Sequence, residues 1–369
     1  MIEYPTTFTF VMPCYNSDKY IKQGIESILS INYPKDKFCT IVVDDCSTDR
    51  TVSIIKEGKF KNTRLIELSK NLGPANARNI GKSKASTDYV IFIDTETKLD
   101  KNILQNYAEA AKKFPKAVFC GKIEFYGHKN LNTEIIERRN IFYMRQGSDS
   151  DLLWAATNNL CVPKEVYKNY SFNPQFSIAA SEDIDFCFRI RDEGYKILYN
   201  NKSIAYHKSF DSFKSAIARM FRYGKGTSIF VKVQPKKNQF AWEFLGRVII
   251  LLSFILMLFL AYKSNRWEYL LWPFFHYMFS TYYLFYGNYA KAKVREKGVL
   301  FVILTSIYEN FLTWIYQLGV IFGNIKNKQS PFLNINPKYI SEGGHGGLGL
   351  IWFIDDIIIA FFFFSLLFF

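Results

Sequence analysis

Residues Tyr89 to Asp100, YVIFIDTETKLD, constrain the fold more than any other stretch of the chain. Val90, Ile91, Phe92 and Ile93 form a continuous apolar run of strand length, the pattern of a strand covered on both faces. Asp94 and Glu96 follow at its carboxyl end. In an open α/β sheet that edge is where ligands bind. Two carboxylates one residue apart suit a hard divalent cation that holds a ligand's phosphates. A solvated acidic turn is the plainer alternative, so the flanking segments must decide.

Three units of the same layout precede this strand. Phe8 to Met12 predicts a first strand, closed by Pro13-Cys14-Tyr15-Asn16, and Asn16 or Ser17 is placed to cap a helix with apolar positions Ile21, Ile25, Ile28 and Leu29. A second strand, Thr40 to Val43, runs into Asp44-Asp45-Cys46-Ser47-Thr48-Asp49 and a helix from Thr51 to Glu57. A third, Leu65 to Leu68, leads through Asn71-Leu72-Gly73 into a helix with Pro74 in its first turn. Strand and helix in alternation predict a mostly parallel, doubly wound α/β sheet. Neither GxGxxG nor GxxxxGK[ST] follows any strand, which argues against a dehydrogenase and an ATPase.

The four segments VMPCYN, VVDDCSTDRT, NLGPANARNIG and FIDTE, in that order and spacing, resemble the nucleotide-binding half of family 2 glycosyltransferases with the GT-A fold. The resemblance runs from about Thr7 to Gly226, and the apolar tail is similar to that of membrane-bound members. It implies that Asp45 faces the base of a nucleotide, with Pro13 and Tyr15 in the wall of that pocket, and that Arg78 lies near the nucleotide or its diphosphate. Asp94 and Glu96 match the family's DxD motif at the ribose or metal and at the metal, with glutamate replacing the usual final aspartate. Asp44 and Asp49 are read as closing turns.

Further along, Trp154 to Leu160 resembles the acceptor-side strand, and Asn158 is a candidate for a sugar hydroxyl. In Ser181-Glu182-Asp183-Ile184-Asp185, three acids open a helix whose dipole favours negative charge there. That accounts for two of them; Asp183 matches the family's catalytic base. A base is needed because a sugar hydroxyl is a weak nucleophile near neutral pH. Gly194 to Tyr199 predicts a turn and strand, and Ile204 to His207 another strand. His207 is either a third metal ligand or a core-edge residue, and His128, in an uninformative segment with Lys122, Arg138 and Arg139, is a solvated loop residue. Arg219 and Arg222, three apart in a predicted helix and turn from Phe213 to Gly226, face either a leaving diphosphate or phosphorylated lipid, or anionic headgroups.

Composition changes near Val231 to Gln239. Residues 1–230 are assigned to a GT-A catalytic domain, 231–246 to a basic juxtamembrane linker and 247–369 to an α-helical membrane region of three to four helices. The apolar stretches are Val248 to Tyr262, Trp267 to Ala290, Val299 to Gly323 with Glu309 inside it, and Leu350 to Phe369. Glu309 faces a protein interior or an acceptor groove, or serves helix packing. The basic loop Lys291 to Lys297 is expected in the cytoplasm, with the catalytic domain on the same side of the inner membrane. The net charge of +14 is scattered and no basic-aromatic module accompanies it, which favours a membrane surface over nucleic acid. Six widely spaced cysteines predict reduced, structural thiols. The N-terminal apolar run is too short for a signal peptide, so export is not expected.

The resemblance implies an inverting transferase with a nucleotide-sugar donor of the UDP class, with Mg²⁺ or Mn²⁺ and a lipid-linked or membrane-bound glycan acceptor. Two alternatives stand beside it. One is a processive polysaccharide synthase, for which Arg222-Tyr223 only partly matches the QxxRW motif. The other is a non-catalytic membrane adaptor that retains the fold.

Overall fold

A computed structural model of the chain describes residues 6–127, 148–208, 212–240, 242–270 and 298–335. The chain divides into two compact units, Met1–Ser215 and Ala216–Phe369.

The first unit is built on one eight-stranded sheet in the order β3-β2-β1-β4-β7-β6-β8-β5. Its N-terminal half is the predicted alternation: β1 (Phe8–Cys14), α1 (Ile21–Leu29), β2 (Phe38–Asp44), α2 (Thr51–Gly58), β3 (Thr63–Glu67), α3 (Pro74–Ser83) and β4 (Tyr89–Phe92), with the four strands parallel. Period-two alternation sorts the side chains to two faces. Phe8, Phe10, Met12, Val42 and Ile91 pack with Ile21, Ile25 and Ile28 of α1, whereas Ile41 and Val43 pack with Ala77 of α3. Both faces are therefore covered, which is why Val90 to Ile93 read as an unbroken apolar run and are fully buried.

Beyond β4 the sheet turns mixed. β5 (Thr97–Leu99), α4 (Ile103–Lys113), β6 (Val118–Tyr126), β7 (Leu160–Pro163), α5 (Lys164–Asn169), α6 (Glu182–Asp192) and β8 (Ile197–Lys208) follow. β7 pairs antiparallel with β4 and β6, β6 runs parallel to β8, and β5 closes the far edge antiparallel to β8. In a flat sheet β4 and β5, four positions apart, would be separated by about 19 Å. A tight turn joins them, with the Thr97 N–H donating to the Asp94 carbonyl at 3.1 Å. The sheet must curl, and the curl brings the end of β8 to the end of β4.

Several local expectations are corrected. The two strands foreseen between Tyr195 and His207 are one strand with an irregularity: its pairing jumps from Gly121↔Asn200 to Lys122↔Ile204, leaving polar Asn201 to Ser203 out of register. Trp154 to Leu160 is not a strand; Thr157–Asn159 form a 3-10 turn before β7. Asn16 and Ser17 do not cap α1, which begins at Ile21 with no side-chain cap. The Asn16 carboxamide oxygen instead accepts the Thr48 N–H at 2.9 Å, tying the β1 and β2 loops together. Asp44 and Asp49 close turns as expected, accepting N–H groups from Ser47 and Thr51 at 2.9 Å each. All six cysteines are free thiols.

The second unit contains most of α7 (Phe213–Val233), a strand pair β9 (Asn238–Phe240) and β10 (Leu333–Ile335), and the helices α8 (Trp242–Ser264) and α9 (Val299–Lys326). No turn interrupts α7 at Gly224 or Gly226. These small residues serve contact: a Cβ on Gly224 would lie 2.7 Å from Val320 N and would also meet the Tyr316 carbonyl, so α7 and α9 pack backbone to backbone at Gly224 and Gly319. Gly319 and Gly323 on α9, with Gly224 and Ser228 on α7, are the four-residue small spacing of close apolar-helix crossings. Helix α9 is, by length and composition, long and apolar enough to cross a membrane, and Phe254–Ser264 within α8 is a shorter apolar helix. The segments 128–147, 271–297 and 336–369, which contain His128, Arg138, Arg139, the basic loop and the last predicted span, lie outside the described residues.

Candidate active site

The turn after β4 is held from several directions. Its Asp94 and Glu96 follow β4, and the Glu96 carbonyl accepts the Lys208 N–H at 3.2 Å and the Tyr126 hydroxyl at 3.3 Å. Thr95 Oγ1 donates to Ser17 Oγ at 3.2 Å. Gly24 of α1 leaves room for this turn, because a Cβ there would lie 2.6 Å from the Thr95 carbonyl oxygen. Gly24→Ala is therefore expected to displace the Asp94–Glu96 turn, costing about 1–3 kcal/mol of stability by overpacking. Thermal unfolding, with Mn²⁺ titration of the same protein, checks both consequences; an unchanged metal response would separate α1 from the turn.

The β5–β8 pairing sets His207 opposite Thr97, beside this turn. His207 Nδ1 lies 2.9 Å from the Lys208 carbonyl oxygen. A carbonyl only accepts, so Nδ1 carries a proton, and Nε2 presents a lone pair in the neutral ring or an N–H in the charged one. Nε2 stands 3.8 Å from Asp94 Oδ2 and 3.6 Å from Glu96 Oε1. Two carboxylates facing Nε2 are met either by its proton in the imidazolium form, which pairs with Asp94, or by a cation that the neutral ring would share with them; an imidazole fixed by its other nitrogen is the usual orientation of a metal ligand. The donor set thus fits a divalent ion. Its spacing is wider than the roughly 3 Å between neighbouring ligands of one octahedral ion, and no closed cluster of three His, Cys, Asp or Glu occurs among the described residues. Burial alone would raise the Asp94 carboxyl, but His207 and the Arg78 charge prevail and hold it at about 2. Asp94 is thus ionised throughout the physiological range.

The acidic cluster opens α6, and its three members have separate partners. Glu182 accepts Arg78 Nη1 at 2.7 Å, and Asp185 pairs with Arg189 Nε at 2.9 Å one turn along the helix. Asp183 Oδ1 accepts the N–H of its neighbour Ile184 at 2.9 Å, and no ion pair of Asp183 is found among the described residues. Desolvation by burial and then the Glu182 charge push Asp183 up to about 7, against the lowering effect of Arg78. Ser181, which precedes α6, has φ +67°, the left-handed region that is rare for a serine. It lies at the turn from which the acids project.

Helix α3 spans the two halves of this region. Arg78 is 3% exposed, and its Nη2 donates to Asp94 Oδ1 at 3.2 Å while Nη1 is bound to Glu182. Asn79 exchanges two bonds with the Phe172 backbone, at 2.8 and 2.9 Å, and Lys82 Nζ donates to the Tyr167 carbonyl at 2.6 Å. Asp45, also buried, accepts the N–H groups of Leu72 and Gly73 at 2.7 and 2.8 Å, so it anchors the loop that leads into α3.

The other candidates fall as follows. Pro13 and Tyr15 stand at the carboxyl end of β1, on the sheet edge shared with Asp45 and Asp94, and Tyr15 is half exposed. Asn158 is buried, and its Oδ1 has no hydrogen-bond partner among the described residues. Asn159 beside it is fully engaged, taking the Tyr107 hydroxyl at 2.7 Å and donating to the Lys122 and Ser203 carbonyls. Arg222 belongs to the second unit, exposed on α7, its guanidinium 5.9 Å from the Tyr223 ring. Glu182 and Gly24 were not singled out from the sequence. A glycine inside a helical apolar pattern is the one signal that pointed to Gly24; Glu182 was hidden among three neighbouring acids.

Comparison with known proteins follows this geometry. The family model described as Glycosyl transferase family 2 matches residues 9–163, and that of Glycosyl transferase family group 2 matches residues 89–286. The poly(ribitol-phosphate) beta-N-acetylglucosaminyltransferase TarS of Staphylococcus aureus is 36% identical over 103 residues, which is 27% of this chain and 18% of TarS. A dolichyl N-acetyl-alpha-D-glucosaminyl phosphate 3-beta-D-2,3-diacetamido-2,3-dideoxy-beta-D-glucuronosyltransferase of Methanococcus voltae is 25% identical over 269 residues, 67% of this chain and 81% of the relative. The crystal structure of S. aureus TarS 1-349 with UDP-GlcNAc aligns with a TM-score of 0.47 and 19% identity over 60% of this chain and 66% of that one. The chain thus spans under a fifth of the length of TarS.

Proposed function

The chain belongs to the glycosyl transferase family 2 group, and from that premise we propose that it transfers a sugar from a nucleotide-sugar, of the UDP class, to a hydroxyl of a membrane-associated glycan or lipid-linked acceptor, with inversion at the anomeric carbon. The observation that carries this reading is the meeting, through Arg78, of the Asp94–Glu96–His207 group with the acidic start of α6. One group suits a diphosphate's cation and the other supplies a carboxylate beside it.

Asp183 accepts the proton of the acceptor hydroxyl as its oxygen bonds to the anomeric carbon. The bond from that carbon to the diphosphate breaks, and its electron pair leaves with the phosphate. Asp94, Glu96 and His207 would hold Mg²⁺ or Mn²⁺, which when bound stabilises charge on the leaving diphosphate. Asp45, Pro13 and Tyr15 form the base side of the donor pocket, and Asn158, with its unpartnered buried oxygen, takes a sugar hydroxyl. Arg222 remains assigned to phosphate charge by resemblance alone.

The acceptor class draws support from two relatives' names, one for poly(ribitol-phosphate) and one for a dolichyl-linked sugar phosphate. Helix α9, 28 residues long, would extend about 42 Å, more than a hydrocarbon core. Leu300, Leu304, Leu318, Phe322 and Ile325 are exposed on it, which suits a lipid surface. An inner-membrane location with the catalytic unit in the cytoplasm follows from this reading.

Because Asp183 must be ionised to act, activity is expected to rise with pH through about 7 and level off above it. One unit below that value a base is ionised in roughly one molecule in eleven, so kcat/KM at pH 6 should be about tenfold below its plateau. A flat profile from pH 5.5 to 8.5 would remove Asp183 as the limiting group. The reading as a whole is tested by nucleoside diphosphate release from a panel of sugar nucleotides, by membranes containing the protein and a lipid acceptor extract. Release from one UDP-sugar is expected. No release from any donor would favour the adaptor alternative.

A further inference from the structure

We propose that Arg78 is a positioning residue: one buried guanidinium links the metal-side carboxylate Asp94 to the base helix through Glu182, so that the donor and acceptor sides of the site are set together. The inference rests on the transferase reading above. It gives a buried linking role to an arginine that the resemblance places near the nucleotide or its diphosphate.

Both Nη atoms are committed to carboxylates, at 2.7 Å to Glu182 and 3.2 Å to Asp94, and the side chain is almost entirely shielded from solvent. The two carboxylates are contributed by opposite halves of the sheet, β4 and α6, and α3 lies between them. Around this link the side chains are closely packed. Phe172 stacks on Phe186 of α6 with ring centroids 4.4 Å apart, and the Arg78 guanidinium carbon lies 5.8 Å from the Phe172 ring. Asn79, the next residue, clamps the Phe172 backbone. A movement of α6 is therefore felt at Arg78, and from there at Asp94.

The network is also incompletely satisfied. Arg78 Nε and Glu182 Oε2 are buried with no hydrogen-bond partner among the described residues. A link retained only for stability would be expected to satisfy both groups or to be replaced by apolar packing. Half-satisfied polar networks persist where function requires them. A guanidinium suits the task because its planar fork reaches two carboxylates at once, whereas a lysine ammonium on its flexible stem reaches one at a time.

The test uses full-length protein in membranes, with Arg78→Lys and Glu182→Gln. Three quantities are read: UDP binding in the absence of metal, Mn²⁺ affinity by electron paramagnetic resonance, and kcat against KM for the donor. Arg78→Lys is expected to leave metal-free UDP binding within about twofold, to weaken Mn²⁺ at least about tenfold and to lower kcat more than tenfold with little change in KM, as loss of an outer partner of a metal ligand does. Glu182→Gln, which keeps the shape and removes the ion pair from the other end, should reproduce the change in kcat. Loss of metal-free UDP binding with kcat preserved would make Arg78 a nucleotide ligand and overturn the proposal. So would a variant that unfolds at lower temperature but keeps wild-type kcat and Mn²⁺ affinity. Mn²⁺ affinity is read without turnover, so a wild-type protein that releases no diphosphate would fail the transferase reading separately from this one.

Discussion

Asp183→Asn is expected to lower glycosyl transfer by at least about 10²- to 10⁴-fold, the usual contribution of a positioned general base, while donor binding stays within about twofold. The sorting of the three acids at the start of α6 gives the reason. Glu182 and Asp185 each have an arginine partner, Arg78 of α3 and Arg189 within α6, so their charges are already engaged. Asp183 is raised towards neutrality by burial and by the Glu182 charge, as suits a group that takes up and releases a proton near pH 7. Asparagine has the same shape and can still accept the Ile184 N–H, so the helix start should persist. Equal loss of donor binding and transfer would mark Asp183 as structural instead.

Removal of divalent metal should have an effect of similar size. With chelator, release of nucleoside diphosphate is expected to fall to background, and Mn²⁺ or Mg²⁺ to restore it. Glu96→Gln keeps the volume of the side chain and its backbone clamps to Lys208 and Tyr126, but removes the charge. It should weaken metal activation at least about 100-fold, since changes even to outer partners of metal ligands cost 10- to 100-fold. The same loss is expected for His207→Ala, which removes the ring nitrogen that faces both carboxylates. Full activity in chelator, or Glu96→Gln with wild-type metal activation, would show that charge on the leaving diphosphate is met by other groups.

Local pattern made the N-terminal half of the fold legible. β1, β2 and β4 are mainly apolar runs ended by polar turn residues, α1 has 3.6-residue periodicity, and Pro74 does begin α3. The parallel order then places Asp45 and Asp94 on one edge without further information. Beyond β4 the decisive contacts are long-range. That β8 is one strand depends on pairing with β6 across an irregularity at Gly121, which no local propensity records. That Gly224 and Gly226 continue a helix depends on the facing Gly319. His207 was named from the sequence with two roles open, and its orientation towards Asp94 and Glu96 comes only from the β5–β8 register. Arg78 shows the limit most clearly. Nothing near it in the chain distinguishes a solvent-facing nucleotide ligand from a buried link, because its partner Glu182 is 104 residues away.

The central claim is direct displacement by an acceptor hydroxyl that Asp183 deprotonates. It is tested most directly by the anomeric configuration of the new linkage, read by proton NMR on product formed from a donor of known configuration. An α-linked nucleotide donor should give a β-linked product. Retention of configuration would require two displacements and a nucleophile on the opposite face of the sugar, and would contradict the account.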